Sequence, residues 1–183
     1  GAAVKTVTGN GAPPASISWD GIADAGDTKG QLCADGSYAA AIDVTLTNGQ
    51  AAKSTIPEIT LDTKYPEVEI SAPYLVFSTD SAATRPNLPV TQKASAENLW
   101  TGSITAAGNR EVRNFTWEGQ AADFVWDGTD ASGNKVPDGT YRYTIFAQDP
   151  AGNRTIKSID NIVIDSRVPK AYITAELPAF SPN

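Results

Sequence analysis

Two runs of the chain alternate cleanly between apolar and polar or small positions. In the first, Tyr141, Tyr143, Ile145 and Ala147 fall on one side, and Arg142, Thr144 and Gln148 on the other. In the second, Tyr38, Ala40, Ile42, Val44 and Leu46 alternate with Ala39, Ala41, Asp43 and Thr45. Successive strand side chains point to opposite faces, so each run predicts a strand with one buried face. Turn residues bracket the first run: Pro137-Asp138-Gly139 precedes it and Asp149-Pro150-Ala151-Gly152-Asn153 follows. An apolar stretch ending at Ile162-Val163-Ile164 then completes a predicted β-hairpin.

The surroundings of the two runs also correspond. Trp19-Asp20-Gly21 matches Trp126-Asp127-Gly128, and Asp35-Gly36-Ser37-Tyr38 matches Asp138-Gly139-Thr140-Tyr141. From there the copies run without a gap at an offset of 103. Ile42 falls on Ile145, Gly49 on Gly152, Ile59 on Ile162, Ile70 on Ile173, and Phe77-Ser78 on Phe180-Ser181. A period this long is close to the size of one sandwich domain and exceeds that of a solenoid repeat. The sequence therefore divides into residues 1–65, the C-terminal part of a first repeat; 66–168, a complete repeat; and 169–183, the opening strand of a following one. It reads as a window cut from a longer array.

Within 1–65 the pattern predicts four strands: around Val4–Val7, Ile17–Trp19, Tyr38–Leu46, and the stretch containing Ile59 and Leu61. The complete repeat predicts seven to eight, starting at Val68 and Ile70. Tyr74–Phe77, Leu88–Thr91, Leu99–Ile104, Val112–Trp117 and Ala121–Trp126 follow, before the hairpin. Their number and spacing suit an all-β sandwich. Only Thr91–Leu99 leaves room for a helical turn. The first repeat lacks a counterpart of residues 66–110, and half a sandwich exposes an apolar face and an unpaired edge. Residues 170–180 match part of what it lacks, so they are expected to complete such a domain in a neighbouring chain.

Composition narrows the function. The net charge of −7 leaves no basic patch for nucleic acid or an anionic membrane surface. No apolar run approaches the ~20 residues of a membrane span. The chain has no histidine and one cysteine, Cys33, so neither a Cys-His nor a Ser-His nucleophile can be assembled. Asp127, Asp130, Asp138 and Asp149 lie in turn motifs, and Glu97, Glu111 and Glu118 do not cluster as an acid/base pair would. The expectation is a protein without catalytic residues.

Two features could bind something. Asp127, Asp130, Ser132 and Asn134 put oxygen-bearing side chains on one loop, as a Ca²⁺ site would, but no bidentate Glu follows. The same residue types are what tight turns select, and the turn reading is preferred; no other cofactor is indicated. Trp19, Trp126, Tyr38 and Tyr141 recur at equivalent places and are expected to pack internally. Trp100 and Trp117 have no counterpart in the first copy and are the better candidates for a carbohydrate platform.

The stretch Trp126–Asn153, with Trp-Asp-Gly-Thr-Asp, then Val-Pro-Asp-Gly-Thr-Tyr, then Asp-Pro-Ala-Gly-Asn, resembles the immunoglobulin-like domain named after the flagellar hook-capping protein FlgD. Phe180-Ser181-Pro182-Asn183 looks like the start of a segment that often opens such modules. In the first copy Leu32-Cys33-Ala34 replaces the Val-Pro step, and four residues are inserted. The resemblance implies tandem Greek-key immunoglobulin-like sandwiches, the first incomplete, in an extracytoplasmic bacterial protein: secreted, surface-bound or periplasmic. Its implied role is that of a spacer, docking or assembly module. The expected partners are neighbouring domains or copies of the same protein through strand pairing, with a cell-surface glycan as the alternative. A carbohydrate-binding module of a secreted hydrolase and a hook-cap-type assembly factor are the competing functions.

Overall fold

The computed structural model describes residues 2–12 and 14–174, without the side chain of Pro57. These divide into two compact units: residues up to Tyr65 together with Pro150–Asn153, and the remainder from Pro66 onward. The fold is all-β, and among the described residues no helix is long and apolar enough to cross a membrane.

The first unit contains one hairpin. Strand β1 (Gly36–Thr45) pairs antiparallel with β2 (Ala51–Leu61), with Tyr38 opposite Ile59 and Val44 opposite Ala52. Its turn is held by Leu46 N donating to Gln50 O at 2.7 Å, and Gly49 supplies the positive φ of 84°. The expected strands at Val4–Val7 and Ile17–Trp19 do not form. Their counterparts at 112–115 and 124–126 are strands in the second unit because each has a neighbour to pair with. No such neighbours occur among the described residues of the first unit, and without ladder partners an extended segment gains no strand hydrogen bonds. The consequence for packing is large. Ile42 is 40% exposed, where its counterpart Ile145 is fully buried, and among the described apolar residues of this unit only Ala23 belongs to the buried class.

The second unit has eight strands: β3 (Val68–Ser71), β4 (Val76–Phe77), β5 (Leu88–Ala94), β6 (Glu97–Ala106), β7 (Arg110–Gly119), β8 (Phe124–Trp126), β9 (Gly139–Gln148) and β10 (Arg154–Ile164). They build a five-stranded sheet of order β4-β10-β9-β6-β7 and a three-stranded sheet of order β3-β5-β8. All pairings are antiparallel except β4 with β10, which run parallel. This is the immunoglobulin-like sandwich that the strand spacing predicts. The alternation in β9 is realised: Tyr141, Tyr143, Ile145 and Ala147 all face the core. Leu88, Val90, Trp100, Ile104, Trp126, Ile162 and Ile164 join them.

Three local details differ from expectation. No helical turn forms in 91–99, because β5 and β6 claim both of its ends. A short 3₁₀ turn lies instead at Ala107–Asn109, where Gly108 and Asn109 have φ of 73° and 58°. Both residue types tolerate that region. The strand expected at Tyr74–Phe77 shortens to Val76–Phe77; the Tyr74 hydroxyl instead donates to Asn87 O at 2.9 Å. Residues 169–174 carry no regular structure, with Tyr172 86% and Ile173 96% exposed. The expected motif at Phe180–Asn183 lies outside the described residues.

One polar pair is built into the core. The Tyr143 hydroxyl donates to Gln92 Oε1 at 2.5 Å, and Gln92 Nε2 donates to Ala122 O at 2.6 Å. Burial pushes the Tyr143 phenol well above its ordinary 10. A phenol harder to ionise when folded than when unfolded contributes constant stability below about pH 10 and loses it as pH rises further. Urea midpoints measured from pH 7 to 11 should therefore fall above about pH 10. Tyr143→Phe should flatten that fall and cost ~1–3 kcal/mol at neutral pH, because Gln92 Oε1 is left without its donor.

Candidate functional site

The residues singled out by the repeat meet at one corner of the second unit, where β8 runs into a turn-rich loop and the loop into β9. Trp126 is fully buried; its Nε1 donates to Thr129 O at 2.9 Å. Its ring meets Tyr141 edge-on, centroids 5.1 Å apart, and Phe77 edge-on at 5.4 Å. The Tyr141 hydroxyl donates to Pro137 O at 2.6 Å, tying the start of β9 to the preceding turn. Asp138 Oδ2 accepts Ser166 N at 2.9 Å, so the same turn also holds the chain leaving β10. Gly139 opens β9 at this corner, whereas the recurring Gly152, with φ of 95°, lies away from it, in the turn beyond the far end of β9.

Gly128 explains why this corner needs a glycine. Its φ is 77°, and a Cβ there would lie 2.4 Å from Thr79 Cγ2, 3.3 Å from Ile164 Cδ1 and 3.5 Å from the Phe77 ring. The backbone is therefore closed on one side by the β4 segment. That segment is held by Val163 N donating to Leu75 O at 2.7 Å, Asp165 N to Phe77 O at 3.0 Å, and Thr79 N to Ser166 Oγ at 3.1 Å.

The first unit carries the same corner, bond for bond. Trp19 Nε1 donates to Ile22 O at 3.0 Å, Tyr38 to Ala34 O at 2.5 Å, and the two rings meet edge-on at 4.9 Å. Asp20 Oδ1 accepts Ile22 N at 3.1 Å, and Asp35 Oδ1 accepts Thr63 N at 3.0 Å. Gly21 repeats the backbone of Gly128 with φ of 79°. What differs is the cover. The atoms nearest a Cβ on Gly21 belong to the Leu32 and Leu61 side chains, at 3.1 to 3.6 Å, where the second unit presents Thr79, Ile164 and Phe77. Sequence reasoning did not single out Phe77 and Thr79 as parts of this corner, although the Phe77-Ser78 and Phe180-Ser181 repeat was the available signal.

The loop proposed for Ca²⁺ spends its oxygens on itself. Asp127 Oδ1 accepts Thr129 Oγ1 at 2.6 Å and Thr129 N at 3.2 Å, with the Arg113 guanidinium 3.5 Å away. Asp130 Oδ1 accepts the Ser132 and Asn134 amides, both at 2.9 Å, and its Oδ2 accepts Asn134 Nδ2 at 3.3 Å. These are turn-stabilising Asx bonds. They hold both carboxyls below the usual range, through the Thr129 hydroxyl first for Asp127 and the Asn134 amide first for Asp130. Among the described residues no group of three or more His, Cys, Asp or Glu side chains could hold a metal ion.

The carbohydrate candidates separate. Trp100 has no exposed surface, and its Nε1 donates to Ser95 O at 2.9 Å; it is a core residue and offers no platform. It lies on the inner face of β6, and which face of a strand turns inward is decided by the opposing sheet. Trp117 is half-buried, stacked on Phe115 at 5.7 Å and close to Phe124 at 6.1 Å. Gly102 makes room for it, since a Cβ there would come within 2.9 Å of the Trp117 ring. None of the four tryptophans is exposed. A groove of about 610 Å³ borders Pro66–Glu69 and Lys93–Ser95, but its Glu69, Lys93 and Lys157 side chains are all exposed, so it holds no buried acid or base.

Residues 76–151 match the FlgD Ig-like domain family. The chain matches no curated protein. The FlgD Ig-like stretch begins on β4 itself, includes Trp126, Gly128 and Tyr141, and ends in the turn after β9. The Phe77 strand therefore belongs to the matched segment, as the geometry around Gly128 requires.

Proposed function

We propose that this chain is a non-enzymatic structural module in which Ig-like domains, repeated in tandem, hold attached parts of an extracytoplasmic bacterial protein at a set distance. The observation that carries the reading is the recurrence of the corner in both units. The hydrogen bonds, the ring geometry and the left-handed glycine of a FlgD Ig-like segment reappear in the first unit, 107 residues earlier for Trp126 and Gly128 and 103 for Tyr141. The segments Asp62–Pro66 and Asp165–Pro169 act as short linkers, each stiffened by a proline with a fixed φ. The internal placement of the tryptophans supports a spacer over a sugar-binding surface, which needs an accessible aromatic row.

The test is a distance. In a Cys33→Ser background, spin labels on Lys53→Cys and Glu118→Cys place one probe in each unit at exposed strand positions. A rigid spacer gives a single narrow distance distribution in pulsed electron resonance. A broad distribution spanning tens of ångströms would show independently moving units and overturn the reading.

A further inference from the structure

The turn Pro150–Asn153 joins β9 to β10, yet it belongs to the compact unit that ends at Tyr65. The Asn153 side chain accounts for this. Its Nδ2 donates to Asp62 O and to Lys64 O, each at 3.1 Å. An amide nitrogen carries two hydrogens, and here each has a linker carbonyl to bond. The N–H groups of the same segment are also taken. Thr63 N donates to Asp35 Oδ1 at 3.0 Å, the Thr63 hydroxyl to the same oxygen at 2.9 Å, and Lys64 N to Asp62 Oδ1 at 3.0 Å. Pro66 ends the segment; it is buried, its ring fixes its own φ, and it holds Tyr65 to extended backbone.

The proline restricts only Tyr65 and itself, so Asp62, Thr63 and Lys64 need another restraint. Corner aspartates supply the half that acts on N–H groups, and this half recurs: Asp138 and Asp165 hold Ser166 N and Arg167 N as Asp35 and Asp62 hold Thr63 N and Lys64 N. Asn153 supplies the half that acts on carbonyls. An Asn in a tight turn ordinarily bonds backbone two or so residues away. This amide nitrogen reaches residues 91 and 89 positions away, and the positive φ of its own turn belongs to Gly152. Resting on the spacer reading, we propose that Asn153 is the positioning residue of the 62–66 linker, its two hydrogen bonds locking the linker backbone in one conformation. Backbone polar groups bonded to water leave a residue free to sample several φ/ψ wells; groups bonded to protein on both their N–H and C=O sides do not. The lock therefore sets the length that the linker spans.

Lys64 itself provides the probe. It is exposed, and a protease cuts a held segment only as often as the backbone opens into its site. Trypsin cleavage of the full-length chain after Lys64 is followed by mass spectrometry, with cleavage after Arg167, the matching residue of the second linker, as internal reference. Asn153→Asp keeps the size and puts an acceptor where both carbonyls need a donor; Asn153→Ala removes the amide outright. Both variants should speed cleavage after Lys64 about tenfold relative to Arg167. With the spin labels at Lys53→Cys and Glu118→Cys, both should also broaden the distance distribution about twofold. Arg154 and Lys157, exposed on β10 just after the turn, report on the hairpin. A rise in cleavage there equal to that after Lys64 would mean that Asn153 only shapes its own turn, and would overturn the proposal. Unchanged cleavage after Lys64 with a distance that stays narrow would also overturn it, and would leave the spacer reading standing. A broad distance in the parent chain, with Lys64 still protected by Asn153, would overturn the spacer reading and leave the lock.

Discussion

Trp126→Ala should destabilise the second unit by ~3–5 kcal/mol, the range for removing a large buried aromatic. Three losses coincide at this residue: a fully buried indole, two edge-on ring contacts to Tyr141 and Phe77, and the hydrogen bond to Thr129 O. The Thr129 carbonyl is left to find a new donor beside the cavity. Against a domain stability of ~5–15 kcal/mol this is a large fraction, and urea unfolding followed by far-ultraviolet circular dichroism will show it as a lower midpoint. Trp19→Ala is the internal comparison. Its ring makes the matching Tyr38 contact but is half-exposed, so its loss should cost no more than ~1 kcal/mol. Equal effects at the two sites would mean that the first corner is closed in solution.

Gly128→Ala is expected to cost ~2–5 kcal/mol, from ~1–2 for a left-handed alanine and ~1–3 for overlap with what lies beside it. The overlap comes chiefly from one methyl, Thr79 Cγ2 at 2.4 Å. Thr79→Ser removes that methyl and keeps the hydroxyl that bonds Ser166 at 3.0 Å. The double variant should therefore recover about half of the loss, while Thr79→Ser alone changes little. Gly133→Ala shares the left-handed backbone, φ 83°, with open space around its Cβ, and isolates the backbone component at ~1–2 kcal/mol. Thermal denaturation of the four variants closes the cycle. A Gly128→Ala chain no weaker than Gly133→Ala would show that β4 does not press on this loop.

The second unit was legible because each of its strands has both a pattern and a neighbour. The alternation of Tyr141, Tyr143, Ile145 and Ala147 needed only a sheet on one side, and β6 and β10 supply it. Val4–Val7 and Ile17–Trp19 have comparable apolar content, yet pairing is not a property of a segment alone. Trp100 was misread for a related reason: a tryptophan in a strand reports two faces, and the opposing sheet selects one. The parallel docking of β4 was hidden because two residues leave no periodicity to read. The loop Asp127–Asn134 was readable as turn chemistry, since Asx bonding is local and depends on residues two to four apart.

The pairing of β4 with β10 also decides how the second unit meets force. The two strands run side by side in the same direction, one near the start of the FlgD Ig-like segment and the other at the end of the unit. Tension applied through the chain loads β3 first, and once β3 has peeled from β5 it pulls the start of β4 and the end of β10 in opposite senses along one axis. The Val163–Leu75 and Asp165–Phe77 bonds are then sheared together, instead of opening one after another as in a hairpin pulled from its ends. Forced unfolding is governed by the rate of the first rupture, so a two-residue strand acts as a latch for the sandwich behind it.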